Sequence, residues 1–352
     1  MERQGRNTRF DRILIVKPSA MGDVVMATML IPAIASAFPF ARISWLVDPA
    51  YATLLTPNPR IHEVIPWSKG EWEGHMKRGK VARLVRDVIL FGKGLRGRRF
   101  DLAIDAQGLS RSRFLAWLSG ATERIGIASR EPGDFFMTHI VPRDRSDTRI
   151  GSEYREILAY LGIPSKDPRM DLYVDGLAEV RAQELLGTDD TSDRFAVLAP
   201  FTTRPQKHWI ASRWVEVTRV LEAWGLGSVI LGGPGDREEG ERIRLEAGGR
   251  VVNLAGKARL AESVAIVAKS SIVIGVDTGL THMGTAFERP TVAIFGSTCP
   301  YLDAGTRLTT VLTARLPCSP CRRRPTCNGS HPCMEAVTVD HVLSAAQELL
   351  SR

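Results

Sequence analysis

The stretch Ile13-Leu14-Ile15-Val16-Lys17-Pro18-Ser19-Ala20-Met21-Gly22-Asp23 joins a short apolar run to a glycine-containing turn and the start of a helix. The same order recurs far downstream in Ile272-Val273-Ile274-Gly275-Val276-Asp277-Thr278-Gly279-Leu280-Thr281-His282. In an open α/β sheet, ligands bind at the carboxyl ends of the strands, where the free amides of a helix N-terminus suit an anion. The two stretches therefore predict two such domains that face one central cleft.

The rest of the chain alternates strand and helix patterns in two series. The first series has strand patterns at 13–16, 43–47 and 102–105 and helix patterns at 24–37 and 80–92. The second series restarts at 195–198, after a polar stretch at 188–193 that is typical of a linker. Alternation of this kind indicates parallel sheets with right-handed crossovers. We predict an α/β protein with one domain at 1–185, a second at 194–335 and a C-terminal helix at 336–352.

Length and composition bound the class of protein. The 352 residues exceed what one hydrophobic core usually serves, which also favours two domains. No apolar run approaches the roughly 20 residues of a membrane-spanning helix, and no signal-peptide pattern is visible, so we expect a cytoplasmic protein. The formal net charge of +8 favours an anionic partner, such as nucleic acid, a nucleotide-linked substrate or an anionic membrane face.

Positive charge is concentrated at residues 77–99, where nine Lys and Arg residues stand against a single acidic residue, Asp87. Apolar residues recur between these charges, as they do in a basic amphipathic helix. Two interpretations stay open. The segment is either a solvated helix with an ordinary core face or a surface that approaches acidic lipid or sugar phosphate.

Four segments carry groups suited to chemistry on a phosphorylated substrate. Asp23 follows a strand end and can act as a general base, or it can cap the next helix by accepting its amides. The loop at 202–209 brings Lys207, which can neutralise a leaving phosphate, to a strand's carboxyl end, although a plain solvated loop is the alternative. An acidic residue within 232–239 can hold ribose hydroxyls or simply open a helix. The turn at 277–282 offers amides and two threonine hydroxyls to a phosphate.

Taken together, these segments resemble the lipopolysaccharide heptosyltransferases of glycosyltransferase family 9 over most of the chain. The matching motifs, in order, are Lys17…Met21-Gly22-Asp23-Val24, Ile104-Asp105-Ala106-Gln107-Gly108-Leu109, Arg130-Glu131-Pro132 (similar to heptosyltransferase I in particular), Lys207-His208-Trp209 and Val276-Asp277-Thr278-Gly279-Leu280-Thr281-His282. The resemblance implies a GT-B architecture, in which two Rossmann-like domains with parallel sheets face a central cleft. It also implies inverting transfer of heptose from ADP-L-glycero-D-manno-heptose, with no metal or other cofactor required for transfer.

The resemblance further implies a role for each matching residue. Asp23 is expected to deprotonate the acceptor hydroxyl, which replaces the capping interpretation, and Lys207 is expected to stabilise the departing diphosphate. The residues expected to bind the donor are Thr202, Thr203, Glu238 (with Glu239 as the alternative), Asp277, Thr278, Gly279, Leu280, Thr281 and His282. Those expected on the acceptor side are Lys17, Ser19, Gln107 and Arg130.

The implied acceptor is the anionic, lipid-linked Kdo–lipid A inner core of lipopolysaccharide, so we expect a peripheral enzyme on the inner face of the cytoplasmic membrane. One segment departs from the family. Residues 67–73 (WSKGEWE) lack the arginine-rich acceptor loop of heptosyltransferase I, which leaves a different acceptor open. Heptosyl transfer to a protein is a second hypothesis. A nucleic-acid-binding protein with a zinc ribbon is a third, but it leaves Asp23 and Lys207 without a role, and we expect no nucleic-acid partner.

Four cysteines, Cys318, Cys321, Cys327 and Cys333, lie within sixteen residues, while Cys299 stands apart. A disulfide framework is not expected in the cytoplasm, whereas a Cys-x-x-Cys pair followed by two more thiols can surround a tetrahedral zinc or iron ion. Four reduced, partly buried thiols are the alternative. Because no cysteine falls in the transfer motifs, the predicted metal is a structural one.

Overall fold

The structure, a computed structural model, describes residues 9–164, 168–187, 194–321 and 324–352. It divides into two compact units. Unit 1 comprises Met1–Asp147 and Gly151–Tyr173, and unit 2 comprises Thr148–Ile150 and Val174–Arg352. The predicted linker at 188–193 lies outside the described residues.

Unit 1 is built on a parallel sheet of six strands in the order β3-β2-β1-β4-β5-β6. Its strands are β1 (Arg12–Val16), β2 (Arg42–Val47), β3 (Ile61–Pro66), β4 (Leu102–Asp105), β5 (Glu123–Ile127) and β6 (His139–Val141). Its helices are α1 (Met21–Ala27), α2 (Leu30–Ala37), α3 (Lys69–Lys77), α4 (Val81–Gly97), α5 (Ser110–Leu118) and α6 (Ser152–Tyr160). The central strands β1 and β4 are buried almost throughout, which explains why they read as continuous apolar runs rather than alternating ones.

Unit 2 repeats this architecture, with the order β12-β11-β10-β7-β8-β9 and parallel neighbours throughout. Its strands are β7 (Phe195–Ala199), β8 (Gly227–Ile230), β9 (Val251–Asn253), β10 (Ile272–Val276), β11 (Thr291–Phe295) and β12 (Thr309–Thr313). Its helices are α7 (Gly176–Leu186), α8 (Ala211–Ala223), α9 (Arg237–Ala247), α10 (Leu260–Lys269), α11 (Gly279–Ala286), α12 (Pro332–Glu335) and α13 (Val339–Leu350). When each unit's strands are numbered from one to six along the chain, both sheets have the order 3-2-1-4-5-6 of the doubly wound Rossmann fold. The predicted α/β class with two parallel sheets is confirmed.

The boundary between the units differs from the one expected at 185. Helix α7 belongs to unit 2, where it packs along α10, and Lys269 Nζ lies 3.2 Å from Glu179 Oε1. The C-terminal helix α13 also belongs to unit 2, because Val342, Ala346 and Leu349 are buried in its core. The chain therefore passes into unit 2 near residue 174.

Some elements differ from the sequence pattern. The helix predicted at 24–37 is two helices, because Pro32 has no N–H to donate to the carbonyl of Thr28. At the break, the Thr28 hydroxyl donates to the Val25 carbonyl at 2.7 Å. The helix predicted at 80–92 continues to Gly97. Strands β5, β6 and β12 were not predicted; β6 and β12 are edge strands, and β6 has only three residues. In the described part of the chain, no helix is long and apolar enough to cross a membrane.

Candidate active site

Both sheets reverse their strand order between their first and fourth strands, which are β1 and β4 in unit 1 and β7 and β10 in unit 2. In doubly wound sheets this switch point opens a crevice at the carboxyl ends of the strands, where ligands bind. Each switch point here is bridged by a polar contact. In unit 1 the Ser19 amide donates to Gln107 Oε1 at 3.2 Å, and in unit 2 Lys207 Nζ lies 2.6 Å from Asp277 Oδ2. The residues predicted from the two strand–turn–helix stretches thus lie at both switch points.

The unit 2 switch point is organised around the Asp277 carboxylate. One of its oxygens, Oδ2, pairs with the Lys207 ammonium and accepts a hydrogen bond from the Thr298 hydroxyl. The other oxygen, Oδ1, lies 3.2 Å from His282 Nε2. Burial by itself raises the pKa of Asp277, but the hydrogen bond and charge of His282 and the ammonium of Lys207 outweigh burial and hold that pKa well below its ordinary value. Asp277 is therefore a carboxylate at any physiological pH, fully engaged by three side chains.

His282 is oriented from its other side by Tyr301. The two ring nitrogens of His282 contact different groups, Nε2 the Asp277 carboxylate and Nδ1 the Tyr301 hydroxyl at 3.0 Å. Because a carboxylate only accepts, Nε2 carries a hydrogen that it donates to Asp277, while Nδ1 faces the Tyr301 hydroxyl. Burial raises the pKa of Tyr301 far above its ordinary value, so that the hydroxyl keeps its hydrogen. The chain Tyr301–His282–Asp277–Lys207 fixes the direction in which the ammonium points.

Helix α11 begins directly at this cluster and lies close to strand β10. A Cβ on Gly275 would stand 2.3 Å from Thr281 Oγ1 and 2.8 Å from Ala199 Cβ, so only glycine permits this approach. The buried Thr281 hydroxyl donates to the Val276 carbonyl at 2.6 Å and is thereby used within the protein. The first amide of α11 with a backbone acceptor is that of His282, which donates to the Thr278 carbonyl. The N-terminal amides of Gly279 and Leu280 precede it and are available to an anion.

The remaining predicted donor residues lie at different distances from the cluster. The Thr202 hydroxyl donates to the Asp277 main-chain carbonyl at 3.5 Å, and its own carbonyl contacts His208 Nε2 at 2.8 Å. Thr203 is exposed in the same loop, and Thr278 is half-buried at the N-cap of α11. On α9, Glu239 is paired with Arg242, whereas Glu238 is exposed and forms no ion pair among the described residues. The geometry therefore favours Glu238 over Glu239 as a carboxylate free to meet a ligand.

The unit 1 switch point contains Asp23 in the first turn of α1. The Ala20 amide donates to Asp23 Oδ2 at 3.3 Å, a long contact, so the side chain does contribute to capping. Tyr154 donates its hydroxyl to the Asp23 carbonyl at 3.2 Å, and its ring lies 5.7 Å from the buried Lys17 ammonium. Asp23 is half-buried, and within the described ranges its carboxylate forms no ion pair. It can therefore still accept a proton.

The other predicted acceptor residues follow neighbouring strands of the unit 1 sheet. Gln107 follows β4 in a turn held by the fully buried Asp105, whose Oδ1 accepts the amides of Gln107 and Gly108 at 3.0 and 3.2 Å. Burial raises the pKa of Asp105, and hydrogen bonds and Arg113 act against that rise. Arg130 is exposed in the loop that follows β5. Lys17, Ser19, Gln107 and Arg130 thus lie at the carboxyl edge of three adjacent strands.

Several residues at these two sites were missed by the sequence reasoning. Thr298 and Tyr301 follow β11, the strand beside β10, and a hydroxyl just after a strand pattern was a signal that could have found Thr298. Burial raises the pKa of the Tyr51 hydroxyl, and the negative charges of Asp48 and Asp23 add to the rise. No pattern in the sequence pointed to Tyr51, which lies in a 3₁₀ turn between β2 and β3.

In the described residues the four cysteines do not form a group that could hold a metal ion, so the metal predicted for this segment stays a prediction. Cys318 is exposed, Cys321 and Cys327 are half-buried and Cys333 is buried at the start of α12. Burial raises the pKa of the Cys333 thiol, and Cys321, Cys318 and Cys327 add to the rise. However, Cys333 Sγ faces Gly296 in the core, and no set of three or more His, Cys, Asp or Glu residues in the described ranges could hold a metal ion.

Comparisons with known proteins agree with this geometry. The model of glycosyltransferase family 9 (heptosyltransferase) matches residues 88–331. The chain is 28% identical to lipopolysaccharide heptosyltransferase 1 of Escherichia coli (strain K12) over 301 residues, which cover 84% of this chain and 90% of that protein. It superposes on a family 9 glycosyl transferase from Veillonella parvula with a TM-score of 0.85, at 22% identity and with 99% of both chains covered. A structure of the E. coli heptosyltransferase WaaC with ADP-2-deoxy-2-fluoro heptose gives a TM-score of 0.73 at 25% identity, covering 96% of this chain and 99% of that one.

Proposed function

Since the chain belongs to glycosyltransferase family 9, the heptosyltransferase family, and has its GT-B fold, we propose that this glycosyltransferase transfers heptose from ADP-L-glycero-D-manno-heptose to the inner core of lipopolysaccharide. The observation that carries the proposal is the Lys207–Asp277–His282 cluster at the N-terminus of α11. An ammonium, free helix amides and a nearby hydroxyl suit the diphosphate of a nucleotide sugar. The similar E. coli enzyme was solved with an ADP-heptose analogue, which supports ADP-heptose as the donor.

The proposed reaction is an inverting displacement at the anomeric carbon. The acceptor hydroxyl oxygen attacks that carbon and forms the new glycosidic bond, while the bond from the carbon to the β-phosphate oxygen of ADP breaks. The hydroxyl proton passes to the Asp23 carboxylate. The electron pair of the broken bond stays on the ADP oxygen, where the Lys207 ammonium and the amides of Gly279 and Leu280 stabilise the charge. Asp277 acts through Lys207 and His282 and is a positioning residue.

The acceptor we propose is anionic and lipid-linked, in keeping with the relatives named for lipopolysaccharide and with the net charge of +8. The enzyme would then work at the inner face of the cytoplasmic membrane. Kdo–lipid A is the expected acceptor, but the segment 67–73 carries little positive charge. Glu73 is moreover held by Lys69 and Arg111, and Trp67 packs edge-on against Trp72. Acceptor choice therefore rests on Lys17, Gln107 and Arg130 rather than on an arginine-rich loop.

A ligand-induced thermal-shift panel tests the donor. ADP, UDP, GDP and CMP are compared at equal concentrations, and ADP-heptose is compared with ADP-glucose. We expect the largest rise in Tm with ADP and ADP-heptose, and loss of that rise in Lys207→Met. A larger rise with a non-adenine nucleotide would contradict ADP-heptose as the donor. Transfer assays with Kdo–lipid A, a protein acceptor and a heptosylated core then identify which acceptor is used.

Two substitutions of Asp23 separate the base from the cap. Asp23→Asn keeps an oxygen for the Ala20 amide but cannot take a proton, whereas Asp23→Ala loses both functions. A general base predicts that both variants lose transfer by about 10²–10⁴-fold, with ADP binding unchanged. A cap predicts that Asp23→Asn keeps near-normal transfer and only Asp23→Ala is impaired. Normal turnover by Asp23→Asn would therefore refute the assignment of the base.

A structural zinc or iron ion at the four-cysteine segment stays a prediction. Elemental analysis of protein purified without chelator tests it, and a metal content below one-tenth of an ion per chain would contradict it. We assign this segment no step in transfer.

A further inference from the structure

Helix α4 has an ordinary core face and also carries exposed apolar side chains outside that face. On the core side Leu95 is buried, and Val88 and Phe91 pack against the same hydrophobic cluster. On the outer side Val81, Val85, Ile89 and Leu90 are 61%, 49%, 50% and 58% exposed. Val81, Val85 and Ile89 are spaced by four and form one strip along the helix, whereas Leu90 lies about 100° around the helix from Ile89. A solvated helix with an ordinary core face carries polar residues outside that face. That interpretation of the segment therefore does not account for these exposed apolar side chains.

The outer face is also strongly basic. The exposed cations on α4, at the end of α3 and in the turn between them are Lys77, Arg78, Lys80, Arg83, Arg86, Lys93 and Arg96. The one acidic residue in the segment, Asp87, is half-buried and lies within 3.5 Å of both His75 and Arg86. Apolar side chains thus alternate with positive charges, and of these cations only Arg86 has a carboxylate partner among the described residues.

Aromatic residues extend this surface beyond α4. The Arg96 guanidinium lies 5.9 Å from the ring centroid of Trp117, which is itself 39% exposed. The rings of Trp117, Phe136 and Phe135 follow one another at centroid distances of 5.6 and 4.3 Å, and Phe135 is 79% exposed. Tryptophan and phenylalanine at a basic, half-apolar surface are typical of groups that sit at the boundary between lipid headgroups and acyl chains.

We propose that this face, defined as Val81, Val85, Ile89, Leu90, the cations around them, Trp117 and Phe135, lies on the surface of an anionic lipid bilayer. The apolar strip would enter the headgroup boundary to roughly 5–10 Å, and the cations would meet lipid phosphates. Charge complementarity selects this occupant. A second copy of the chain on the same face would set one cluster of cations against another, and a nucleic acid would leave the apolar strip without a contact. The inference rests on the proposed function only in that a lipid-linked acceptor gives the docking its purpose.

Vesicle co-sedimentation of the whole protein tests the proposal. Vesicles of phosphatidylcholine alone are compared with vesicles that contain about 30% phosphatidylglycerol, each in 0.1 M and 0.5 M NaCl. We expect binding only to the anionic vesicles, with clear weakening at high salt because the Debye length shortens from about 10 Å. Arg83→Gln/Lys93→Gln should weaken binding about 25-fold, since each basic residue near such a surface contributes about fivefold. Val85→Ser/Ile89→Ser should weaken it at least tenfold.

The matched control is Leu177→Ser/Val180→Ser on α7, whose side chains are 81% and 59% exposed beside Glu179 and Glu184. This pair should bind vesicles like the unmodified protein. Equal binding by the α4 variants and the control would overturn the proposal. The proposal would also be overturned if only Arg83→Gln/Lys93→Gln lost vesicle binding, because that result indicates a site for a polyanion. A dimer that Ile89→Ser dissociates would overturn it as well.

A transfer assay separates this inference from the proposed function. With a delipidated, water-soluble acceptor, the α4 variants should retain the unmodified rate, and with acceptor in vesicles they should lose rate in proportion to binding. If no heptose transfer occurs with any acceptor, the proposed function fails, while vesicle binding still decides the docking face. If transfer occurs but vesicles are not bound through α4, only the docking face is refuted.

Discussion

The ion pair between Lys207 and Asp277 allows a sharp test of how the leaving group is stabilised. The two side chains are 15% and 12% exposed and 2.6 Å apart. At an effective dielectric constant near 20, two unit charges about 4 Å apart attract each other by about 4 kcal/mol, and this closer pair attracts at least as strongly. That attraction is enough to fix the direction of a flexible lysine. The Lys207 ammonium has three N–H donors. One contacts the Asp277 carboxylate and a second the Asp277 main-chain carbonyl, which leaves the third for a phosphate.

If Asp277 acts only by positioning Lys207, the two substitutions should not add. Lys207→Met should lower kcat about 10²–10³-fold, the range for removing one donor to a developing anion. Asp277→Asn should lower it about 10–100-fold through loss of orientation. The double variant should be no slower than Lys207→Met, because residues that act as a unit are non-additive. Independent roles predict instead a product of 10³–10⁵.

The assay is release of ADP from ADP-heptose with a soluble acceptor, alongside ADP affinity by calorimetry. Lys269→Met and Glu179→Gln are the matched controls, since this exposed ion pair of the same unit lies 3.2 Å apart and is remote from the cluster. The controls should leave kcat unchanged, singly and together. A double variant of Lys207 and Asp277 at least tenfold slower than Lys207→Met would refute the positioning role and make Asp277 a direct ligand of the donor.

Three further predictions concern stability and thiol reactivity. Gly275→Ala should lower the free energy of unfolding, measured by urea titration, by about 1–3 kcal/mol and weaken ADP binding, because the added Cβ would push α11 away from β10. The control, Gly74→Ala, has nothing within 4 Å of the added Cβ and should be neutral or slightly stabilising. Asp277→Asn should destabilise the protein by about 3 kcal/mol near pH 7, and the difference from the unmodified protein should shrink only as pH falls below about 4, because the folded pKa of Asp277 is depressed. A difference that shrinks near pH 7 would contradict this. Burial and Asp277 raise the pKa of Cys299 to about 11, so iodoacetamide at pH 8 should alkylate the exposed Cys318 well before Cys299 in peptide mass spectra.

The fold and the main cluster were accessible from the sequence because they depend on period and order along the chain. Strands such as 272–276 are continuous apolar runs, and parallel neighbours bring their carboxyl ends to one edge of a sheet. That rule alone brings Lys207 near Asp277. The apolar pattern of 24–37 runs through Pro32, so the pattern alone does not show that the segment is two helices.

What escaped the sequence reasoning depends on strand order and on side-chain direction. Thr298 meets Asp277 only because β11 lies beside β10, a fact of topology rather than of local pattern. Cysteine spacing fixes how far apart four thiols can be, but not which way each one points. The α12 helix turns Cys333 toward Gly296, which no spacing rule anticipates. The choice between Glu238 and Glu239 likewise required the contact of Glu239 with Arg242.

The two units use one topology for opposite electrostatic purposes. At the unit 2 switch point, Asp277 is surrounded by Lys207 and His282, which depress its pKa and make it unable to take a proton near neutrality. At the unit 1 switch point, the bridging contact is the neutral pair of Ser19 and Gln107, and the Asp23 carboxylate has a backbone amide for a partner rather than a cation. A general base must accept the proton of the attacking hydroxyl in the transition state, whereas a carboxylate that orients a lysine must stay ionised. The difference in partners, rather than in sequence position, supports our proposal that Asp23 takes the proton and that the cluster of Asp277 stabilises the leaving group.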